Sequence, residues 1–472
     1  MKILLVNPTT RNYGKGIVIA AASPLGLLSI ASVLQEAGHK VKIYDHNIEN
    51  NGIKKCLEFK PDLVGITSFT GMMIKDGLNL SKKFHKREIP IVWGGVHASL
   101  LPVQTVSDPN IDMVIVGEGE ETIVDLANSI ENNRDLCNVK GLVWKKIKND
   151  NIKIIENEPR PFIKDLDSLP FPAWDLIDVE KYNATLMGWE RSSSEFYSIQ
   201  SSRGCPFRCG FCYNTVFNNR KWRFKSAKRV IEEISFLKEK YNVDRINFRD
   251  DNFVVNRKRA AIICNDIYKN KFDITFGIDC RVDLLSKSIA KFLKIGGCDQ
   301  IYFGIESGSP RILRFINKDI TLEQAINAIK ICKKLKIKCS TSFVIGFPTE
   351  TKTDLSLTEK FIYKLKPDSI LVKIFVPYPG CELYKYVVEK GLFNPPNKLE
   401  DWGLDWNSVD FKLSNIEPYF LKKVQRRLYK NHFIMNFPNF TIGFIKNMMT
   451  NKFYLHKIIL NGFKTFMNKD NI

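Results

Sequence analysis

Short apolar runs alternate with amphipathic stretches along the first third of the chain. The runs fall at Ile3–Val6, Val41–Tyr44, Leu63–Thr67, Ile91–Trp93 and Met113–Val116. Runs of this length are typical of buried strands, and the stretches between them have the 3.6-residue period of helices. Strands that alternate with helices in this way form parallel sheets. The pattern therefore predicts a parallel sheet with crossover helices over residues 1–145.

The same alternation returns in the middle of the chain. Strand-like runs fall at Phe196–Gln200, Arg245–Phe248, Ile274–Ile278, Gln300–Ile305, Cys339–Ile345 and Ser369–Val376, and helical stretches at Ala227–Lys240, Ala260–Lys269, Leu322–Lys334 and Thr353–Leu365. These runs predict six βα units over residues 198–395. Prolines are concentrated in the preceding segment, at 159, 161, 170 and 172. Because proline fixes φ and lacks a backbone donor, residues 146–197 are predicted to be an extended linker.

Residues 396–472 are predicted to form a helical, basic region. Lysines interleave there with Phe, Ile, Leu and Met at helical intervals; they are Lys446, Lys452, Lys457 and Lys464. A basic amphipathic helix can lie on an anionic membrane surface, and it can also pack against a neighbouring domain. We favour packing, with peripheral membrane contact as the alternative.

Composition narrows the class of protein. With 472 residues and 44% hydrophobic content, the chain can form more than one core. The net charge of +20 is spread through most helices, which favours a solvated surface over a nucleic-acid site.

Most of the eleven cysteines are scattered singly, and the chain starts without a signal-peptide pattern, so we expect a cytoplasmic protein. Residues 16–34 are uncharged, but Pro24 and Gly26 favour a loop and a buried helix over a membrane span.

Three cysteines are grouped in the loop "SSRGCPFRCGFCYNT". Cys205, Cys209 and Cys212 have the spacing Cys-x3-Cys-x2-Cys, the next cysteine is Cys264, and no histidine occurs between residues 97 and 432. A structural zinc site normally takes four ligands. Three thiolates on one loop instead suit a [4Fe–4S] cluster with one iron open to an outside ligand, which is a catalytic arrangement.

Glycines and hydroxyl residues follow the predicted strands of the first domain. The candidate ligand-binding residues are Thr67, Ser68, Gly94, Gly95, His97, Gly117, Glu118 and Gly119. Ligands of open parallel sheets bind at the carboxyl ends of the strands, where small residues allow close approach. The same residues also suit turns and helix caps, so both interpretations remain open. For His97 we favour a hydrogen-bonding or packing role over metal ligation.

The cysteine loop, with Phe211 before its third cysteine, resembles that of the radical S-adenosylmethionine superfamily. The strand ends "FRDDNF", "FGIESGS" and "VIGFPTET", together with "GGVHAS" and "GEGEET", resemble one subgroup. It contains the cobalamin-binding radical enzymes, among them anaerobic magnesium-protoporphyrin ester cyclase and the hopanoid and other methylases. The resemblance covers about residues 1–395. It implies an α/β protein with an N-terminal Rossmann-like cobalamin domain, a partial (β/α)6 barrel and a helical C-terminal region.

The resemblance also implies roles for individual residues. The three cysteines ligate three irons, and the fourth iron takes the amino and carboxylate groups of S-adenosylmethionine. Further cofactor contacts are implied for Phe211, Asp250, Arg281, Glu306, Ser307 and Gly346. Arg281 is expected to pair with the cofactor's carboxylate, because a guanidinium binds a carboxylate bidentately.

The chain departs from the family pattern at two places. It lacks the Asp-x-His-x-x-Gly signature, so no side chain of that motif is expected to ligate cobalt. A Gly-Gly-Glu amine-binding motif is also missing, and "RDDN" at 249–252 has to substitute for it.

The implied cofactors are a [4Fe–4S] cluster, S-adenosylmethionine and cobalamin. The expected reaction is methylation of an unactivated carbon in a small molecule or lipid by way of a 5′-deoxyadenosyl radical. A low-potential flavodoxin or ferredoxin is the expected electron donor. One alternative is a radical cyclase or rearrangement enzyme without net methyl transfer. Another is an RNA-modifying radical enzyme, but the methylthiolating enzymes need three N-terminal cysteines and this first domain has only Cys56 and Cys137. We expect no specific nucleic-acid partner.

Overall fold

A computed structural model describes residues 1–10, 23–49, 52–148, 151–182, 197–404 and 411–450. For residues 437–450 it describes the helical backbone alone, and the side chains of Lys55 and Glu180 are likewise outside the description. The predicted features at residues 16–22 and at Lys452, Lys457 and Lys464 lie outside the described residues.

The amino-terminal part of the chain forms a seven-stranded sheet in the order β2-β1-β3-β4-β5-β6-β7. Its strands are β1 (Lys2–Asn7), β2 (Lys40–Asp45), β3 (Leu63–Thr67), β4 (Ile91–Gly94), β5 (Met113–Ile115), β6 (Leu142–Lys148) and β7 (Asn151–Glu156). Its helices are α1 (Leu25–Glu36), α2 (Ile53–Glu58), α3 (Met72–His85), α4 (Val96–Leu100), α5 (Pro102–Val106) and α6 (Glu120–Glu131). The first five strands are parallel, as the alternation of apolar runs predicts.

The last two strands of this sheet were not predicted. β6 pairs antiparallel with β5 and β7 antiparallel with β6, so the sheet continues to Glu156, past the predicted boundary at residue 145. The outer half of this hairpin is exposed and rich in lysine, and Ile147 is 70% exposed. Only Leu142, Val143 and Trp144 of β6 are buried, so the apolar run is short and the lysine-rich remainder of the hairpin does not extend it.

The second sheet has six parallel strands in the order β15-β14-β13-β12-β11-β8. They are β8 (Ser198–Ile199), β11 (Arg245–Phe248), β12 (Thr275–Cys280), β13 (Cys298–Glu306), β14 (Lys338–Ile345) and β15 (Ser369–Ile374). A separate two-stranded ribbon pairs β9 (Ser202–Arg203) with β10 (Arg223–Phe224). The helices are α7 (Asn214–Phe217), α8 (Ala227–Tyr241), α9 (Arg257–Lys269), α10 (Lys287–Ile295), α11 (Pro310–Phe315), α12 (Leu322–Leu335), α13 (Lys352–Leu365) and α14 (Glu382–Glu389). The predicted α/β class, with one strand-helix unit per inner strand, is confirmed.

Helix α15 (Pro418–Thr450) packs against the edge strand β15. Leu421, Val424 and Leu428 are buried in this contact. Gln425 Nε2 and the Tyr429 hydroxyl both donate to the carbonyl of Val372, at 2.7 and 3.1 Å. Residues 418–436 of α15 therefore pack on the second sheet, whereas packing of the following lysine-rich stretch stays a prediction.

The segment between the two sheets contains short 3-10 turns at Leu166–Ser168, Trp174–Leu176 and Val179–Tyr182. The Ala173 amide donates to Leu28 in α1, and Tyr182 donates to Asp45 at 2.7 Å. Trp174 is buried against Tyr197, with ring centroids 5.0 Å apart. The segment is thus attached to the first sheet through Ala173 and Tyr182, while Trp174 contacts Tyr197, which precedes the second sheet. None of the helices in the described part of the chain has the length and hydropathy of a membrane span.

Candidate active site

The three cysteines lie on the loop that the β9–β10 ribbon closes at its base. The ribbon pairs Arg203 with Arg223, which brings the two ends of the loop together. Gly204 follows β9 with φ +81°, and a Cβ there would approach the carbonyl oxygen of Lys221 to 2.1 Å. Only glycine fits this close backbone contact.

Gly210, between the second and third cysteines, holds the tip of the loop. Its amide donates to the carbonyl of Ile316 after α11, and its carbonyl accepts from the amide of Leu383 in α14. The tip is therefore bonded to two segments that follow β13 and β15. These bonds keep all three cysteines at the carboxyl end of the second sheet, where parallel α/β folds place their catalytic residues.

The three thiols influence one another electrostatically. Burial raises the pKa of Cys205, and burial together with the neighbouring Cys209 raises the pKa of Cys212 to about 12. Metal binding would reverse this tendency, because a metal takes the thiolate and releases the proton. Among the described residues, no three His, Cys, Asp or Glu side chains converge as they would around one metal ion. In a cluster each thiolate bonds a different iron, so convergence on a single point is not required.

Arg281, at the end of β12, reaches the cysteine loop. Its guanidinium stacks on the Phe207 ring at 3.8 Å and lies 3.8 Å from the Cys209 sulfur. It also donates to the Asp283 carboxylate and to the carbonyl of Lys318. A cation beside a ligating sulfur adjusts the potential of a cluster. Pairing of Arg281 with the cofactor's carboxylate stays a prediction, since these groups already occupy much of the guanidinium.

Glu306 and Lys318 form a buried ion pair beside the loop. Lys318 Nζ lies 2.8 Å from Glu306 Oε1 and 6.0 Å from the centroid of Phe211, and both charged side chains are buried. Glu306 adopts φ +73°, which is rare for a residue with a side chain. Phe211 also packs on Phe347. The structure thus brings Phe211 and Glu306 together, while Lys318 carried no signal in the sequence.

Two adjacent aspartates after β11 have different surroundings. Asp250 is buried, and its carboxylate accepts from the Ser201 amide, the Ser201 hydroxyl and the Ser202 hydroxyl, the last two at 2.6 and 2.5 Å. Asp251 accepts from the amide of Gly204 at 3.1 Å and remains accessible to solvent. Burial raises the pKa of Asp250, and the pKa of Asp251 is raised because the surrounding protein displaces part of its water although the side chain still reaches solvent. Asp250 therefore anchors the start of the cysteine loop, and Asp251 is the carboxylate that faces the open site.

Two other predicted cofactor residues pack inside the protein. Ser307 is fully buried, lies 3.2 Å from the Thr358 hydroxyl and accepts from the Ser309 amide. Gly346 has φ +83°, and a Cβ there would meet Leu421 of α15 at 2.7 Å. Their cofactor contacts stay predictions. At Gly346 the backbone is the part that a cofactor can contact.

The inner face of the second sheet is polar. Asp279 on β12 is the register partner of Tyr302 on β13, and both are accessible, while the alternating Ile278 and Phe303 are buried. Although the Asp279 side chain can be reached by solvent, the surrounding protein displaces most of the water around it and raises its pKa to about 7, and the charge of Arg249 opposes this rise. Sequence analysis missed Asp279 and Tyr302. The sequence signal that could have identified them is the two-residue alternation of side chains between the two faces of β12 and β13.

Most of the glycine-loop residues of the first sheet meet at its carboxyl edge. Ser68 after β3 bonds through its hydroxyl to the carbonyl of Gly94 in β4, at 2.9 Å. Gly95 has φ +90°, and a Cβ there would lie within 3 Å of Thr67 and Ser68. The position of a Cβ on Gly94 or Gly117 has nothing within 4 Å. The structure thus brings Thr67, Ser68, Gly94 and Gly95 together beside an open, small-residue edge.

His97 is fully buried at the start of α4. Its Nδ1 lies 2.9 Å from the Thr70 hydroxyl, and its ring meets Trp402 edge-on. Burial lowers its pKa to about 3, so the ring is neutral. No hydrogen-bond partner for its Nε2 occurs among the described residues. These contacts agree with the packing role that we favoured.

Glu118 and Glu120 of the "GEGEET" segment face arginines. Arg203 contacts both carboxylates and Arg223 contacts Glu118, at 2.6–2.7 Å. Gly119 lies against α1, where a Cβ would meet Ile30 at 3.0 Å. Cofactor binding by Glu118 and Gly119 stays a prediction.

The residues present fit the implied cofactors. Three neighbouring thiols supply the soft donors that an iron–sulfur cluster needs. The edge at Gly94 and Gly117 has room for a flat macrocycle to approach the backbone. Asp251 offers a carboxylate to a cationic group near the cysteines.

Comparison with known proteins identifies the family. Residues 199–362 match the radical SAM superfamily and residues 20–127 match the B12 binding domain. An uncharacterised methyltransferase of Pyrococcus horikoshii is 38% identical over 443 residues, covering 92% of this chain and 93% of that protein. The anaerobic magnesium-protoporphyrin IX monomethyl ester cyclase of Rubrivivax gelatinosus is 26% identical over 446 residues, covering 90% and 78%.

A solved structure shares the fold. The radical S-adenosylmethionine methyltransferase TsrM of Kitasatospora setae, solved with cobalamin and a [4Fe–4S] cluster, superposes with a TM-score of 0.68 at 18% identity. The match covers 84% of this chain and 76% of TsrM. The chain belongs to the cobalamin-binding radical S-adenosylmethionine enzymes. The family that the cysteine loop and the strand ends resembled is thereby confirmed, together with its three cofactors.

Proposed function

We propose that the protein is a cobalamin-dependent methylase that acts on an unactivated carbon of a small-molecule or lipid substrate. When bound, the cluster splits S-adenosylmethionine to a hydrogen-abstracting 5′-deoxyadenosyl radical, and the corrin supplies the methyl group. The observation that carries the proposal is the cysteine loop, anchored at the carboxyl end of one sheet and bonded to the glycine-rich carboxyl edge of the other. Methyl transfer is favoured over cyclisation because the methyltransferase relative is 38% identical and the cyclase 26%.

The chain's own residues have distinct parts in this proposal. Cys205, Cys209 and Cys212 hold the cluster, and Arg281 places a cation beside the Cys209 sulfur. Asp251 accepts a hydrogen bond from the amino group of S-adenosylmethionine, because its carboxylate is accessible and adjoins the loop at Gly204.

The test begins with anaerobic reconstitution of the full chain with iron, sulfide and hydroxocobalamin. After reduction with dithionite, 5′-deoxyadenosine released from S-adenosylmethionine is quantified. We expect bound iron, sulfide and corrin and steady nucleoside release from the natural protein. Cys209→Ser loses the cluster and the release, whereas Cys137→Ser, which changes an exposed thiol, retains both. Bound zinc, or no nucleoside from the natural protein, contradicts the proposal.

Methyl-labelled S-adenosylmethionine separates methylation from cyclisation. Incubation with a cell extract and mass analysis detects incorporated label if the enzyme is a methylase. A substrate that changes without gaining label supports cyclisation or rearrangement instead.

The proposal includes an acidic, low-potential electron donor such as a flavodoxin. Exposed basic residues Arg208, Arg220 and Lys221 surround the cysteine loop, and charge complementarity accelerates such encounters. In the double variant Arg220→Glu/Lys221→Glu, we expect slower nucleoside release with reduced flavodoxin and an unchanged rate with dithionite. Equal slowing with both reductants contradicts donor contact at this surface.

For the part of the C-terminal region that follows the buried contact with β15, the proposal includes peripheral membrane contact, the alternative that the sequence left open. Phe433, Ile434 and Met435 on α15 are exposed, and the lysines of residues 446–464 follow them in sequence. Flotation with phosphatidylglycerol vesicles is expected to recover the protein, and phosphatidylcholine vesicles are expected to leave it behind. Recovery with neither vesicle contradicts membrane contact.

A further inference from the structure

We propose that Glu118 and Glu120 are positioning residues, which hold the cysteine loop at a set place against the glycine-rich edge of the first sheet. Together with Arg203 and Arg223 they form a cluster that we call the clamp. The inference rests on the proposed function, because it concerns how the corrin-binding edge faces the cluster loop.

The clamp joins the two sheets through short, charge-assisted hydrogen bonds. Arg203 divides its guanidinium between Glu118 Oε1 at 2.7 Å and Glu120 Oε1 at 2.6 Å. Arg223 donates to the other oxygen of Glu118 at 2.6 Å. Because Arg203 and Arg223 are register partners in the β9–β10 ribbon, both ends of the cysteine loop are bonded to one carboxylate. Arg203 also lies two residues before Cys205.

Two further segments meet at the same point. The Ile163 amide donates to Glu118 Oε2 at 2.8 Å, and the Ile163 carbonyl accepts from Arg223 at 2.9 Å. Ser29 of α1 donates to Glu120 at 3.0 Å. The clamp therefore connects the loop after β5, helix α1, the segment between the sheets and the cysteine ribbon.

Burial strengthens the ion pairs of the clamp. The side chains of Arg203, Glu118, Glu120 and Arg223 are 14%, 8%, 7% and 11% exposed. Two positive and two negative charges balance, so removal of one leaves an uncompensated buried charge. Burial alone would raise the pKa of Glu120, but the charge and hydrogen bonds of Arg203 hold it below its ordinary value. Glu120 thus stays ionised, and both carboxylates have arginine partners.

The neighbouring Glu121 provides a matched control. It belongs to the same segment and pairs with Arg160 at 3.0 Å, but its side chain is 54% exposed and it does not touch the cysteine ribbon. Glu118→Gln, Glu120→Gln and Glu121→Gln therefore make the same chemical change at clamp and control positions. If Glu118→Gln folds poorly, the charge-balanced double variant Glu118→Gln/Arg223→Gln replaces it.

The test uses reconstituted full-length protein and two readouts that need no substrate. Hydrogen exchange reports the backbone of residues 201–225. Product analysis compares two products. Formation of 5′-deoxyadenosine requires only the cysteine loop with its cluster. Formation of S-adenosylhomocysteine, by methyl transfer to cob(I)alamin, requires the cysteine loop and the corrin-binding edge to be correctly placed relative to each other. In the clamp variants we expect faster exchange and at least about tenfold less S-adenosylhomocysteine, a loss that exceeds any loss of 5′-deoxyadenosine, because small misplacements slow transfer strongly. Glu121→Gln matches the natural protein in both readouts.

Clamp variants that match Glu121→Gln in hydrogen exchange and in S-adenosylhomocysteine overturn the inference. An equal fall of both products in the clamp variants also overturns it, since a general structural role has that effect. If the natural protein makes neither product, the proposed function fails, and hydrogen exchange alone still decides whether the clamp holds the loop.

Discussion

At the level of single residues, the adjacent aspartates have different roles: Asp250 supports the fold, and Asp251 faces the site. Asp250 accepts three hydrogen bonds from Ser201 and Ser202, whereas Asp251 accepts from the Gly204 amide and the Asn214 side chain and remains accessible. Asp250→Asn replaces one carboxylate oxygen, which accepts hydrogen bonds, by an amide nitrogen, which donates them and would face the donors of Ser201 and Ser202. The pair is therefore a matched set of variants.

Asp250→Asn is expected to lower the free energy of unfolding by about 1–3 kcal/mol, because a buried acceptor is lost. Asp251→Asn keeps an acceptor for Gly204, so its stability is expected to stay near that of the natural protein. Its affinity for S-adenosylmethionine is expected to fall roughly tenfold or more, as a charge-assisted bond is lost. Urea unfolding and calorimetric titration of reconstituted protein measure these effects. The reverse pattern would show that the two residues exchange roles.

At the level of elements, α15 completes the edge of the second sheet. The Val372 amide of β15 donates to the Tyr429 hydroxyl at 2.9 Å, and that hydroxyl donates back to the Val372 carbonyl. A side chain on a helix thus supplies bonds that a neighbouring strand would otherwise make, and the exposed edge is covered.

Tyr429→Phe is expected to destabilise the protein by about 1–2 kcal/mol and to speed amide exchange in β15, because the Val372 amide loses its acceptor while the carbonyl keeps the bond from Gln425. Tyr419→Phe is the control, since Tyr419 lies on the same helix and is 76% exposed. Equal exchange in the two variants would show that α15 protects the edge by its apolar contacts alone.

The loop from β14 to α13 contains a buried carboxyl. Glu350 is buried and accepts from the Gly346 amide, and burial raises its pKa from 4.5 to about 8. Between these values the folded protein holds a proton that the unfolded chain has released. The stability that this proton contributes is complete below pH 4.5 and is lost as the pH rises through about 8.

Glu350→Gln is expected to remove this dependence. The natural protein loses up to about 1.4 kcal/mol per pH unit through this group across the window. The glutamine keeps an acceptor for Gly346 and does not ionise, so the variant becomes relatively more stable toward pH 8. Urea unfolding at intervals from pH 5 to pH 8 compares the two slopes. Parallel slopes would show that Glu350 titrates normally.

At the level of the whole molecule, the segment between the sheets joins the two cores. Trp174 is buried and contacts Tyr197, while the adjacent Ala173 is bonded to α1 of the first sheet. The ion pairs and hydrogen bonds of the clamp connect the same two sheets and the segment between them. Apolar and ionic contacts therefore both set how the two carboxyl edges face each other.

Trp174→Ala is expected to cost about 3–5 kcal/mol of unfolding free energy, because a large buried side chain is removed. Proteolytic cleavage near residues 160–180 is expected to accelerate. Tyr268→Ala, at a site that is 64% exposed, is the control and should change little. An unchanged cleavage rate in Trp174→Ala would show that the segment is held independently of its tryptophan.

The inner strands and the cysteine loop could be predicted because their signals are local. An apolar run such as Leu63–Thr67 reports burial directly, and three cysteines within eight residues need no distant partner to be recognised. The β6–β7 hairpin was missed because its apolar run, Leu142 to Trp144, is short and is followed by an exposed, lysine-rich stretch.

The residues and their spacing established the class of fold, the three thiols and the family, since each depends on neighbours along the chain. Three-dimensional packing settled the partners of Glu118, the burial of Asp250 and the pairing of Glu306 with Lys318. Those contacts join segments that different strands and helices bring together. Whether a carboxylate meets an arginine, a serine or open solvent depends on the direction in which its side chain points after folding, and residue order does not specify that direction.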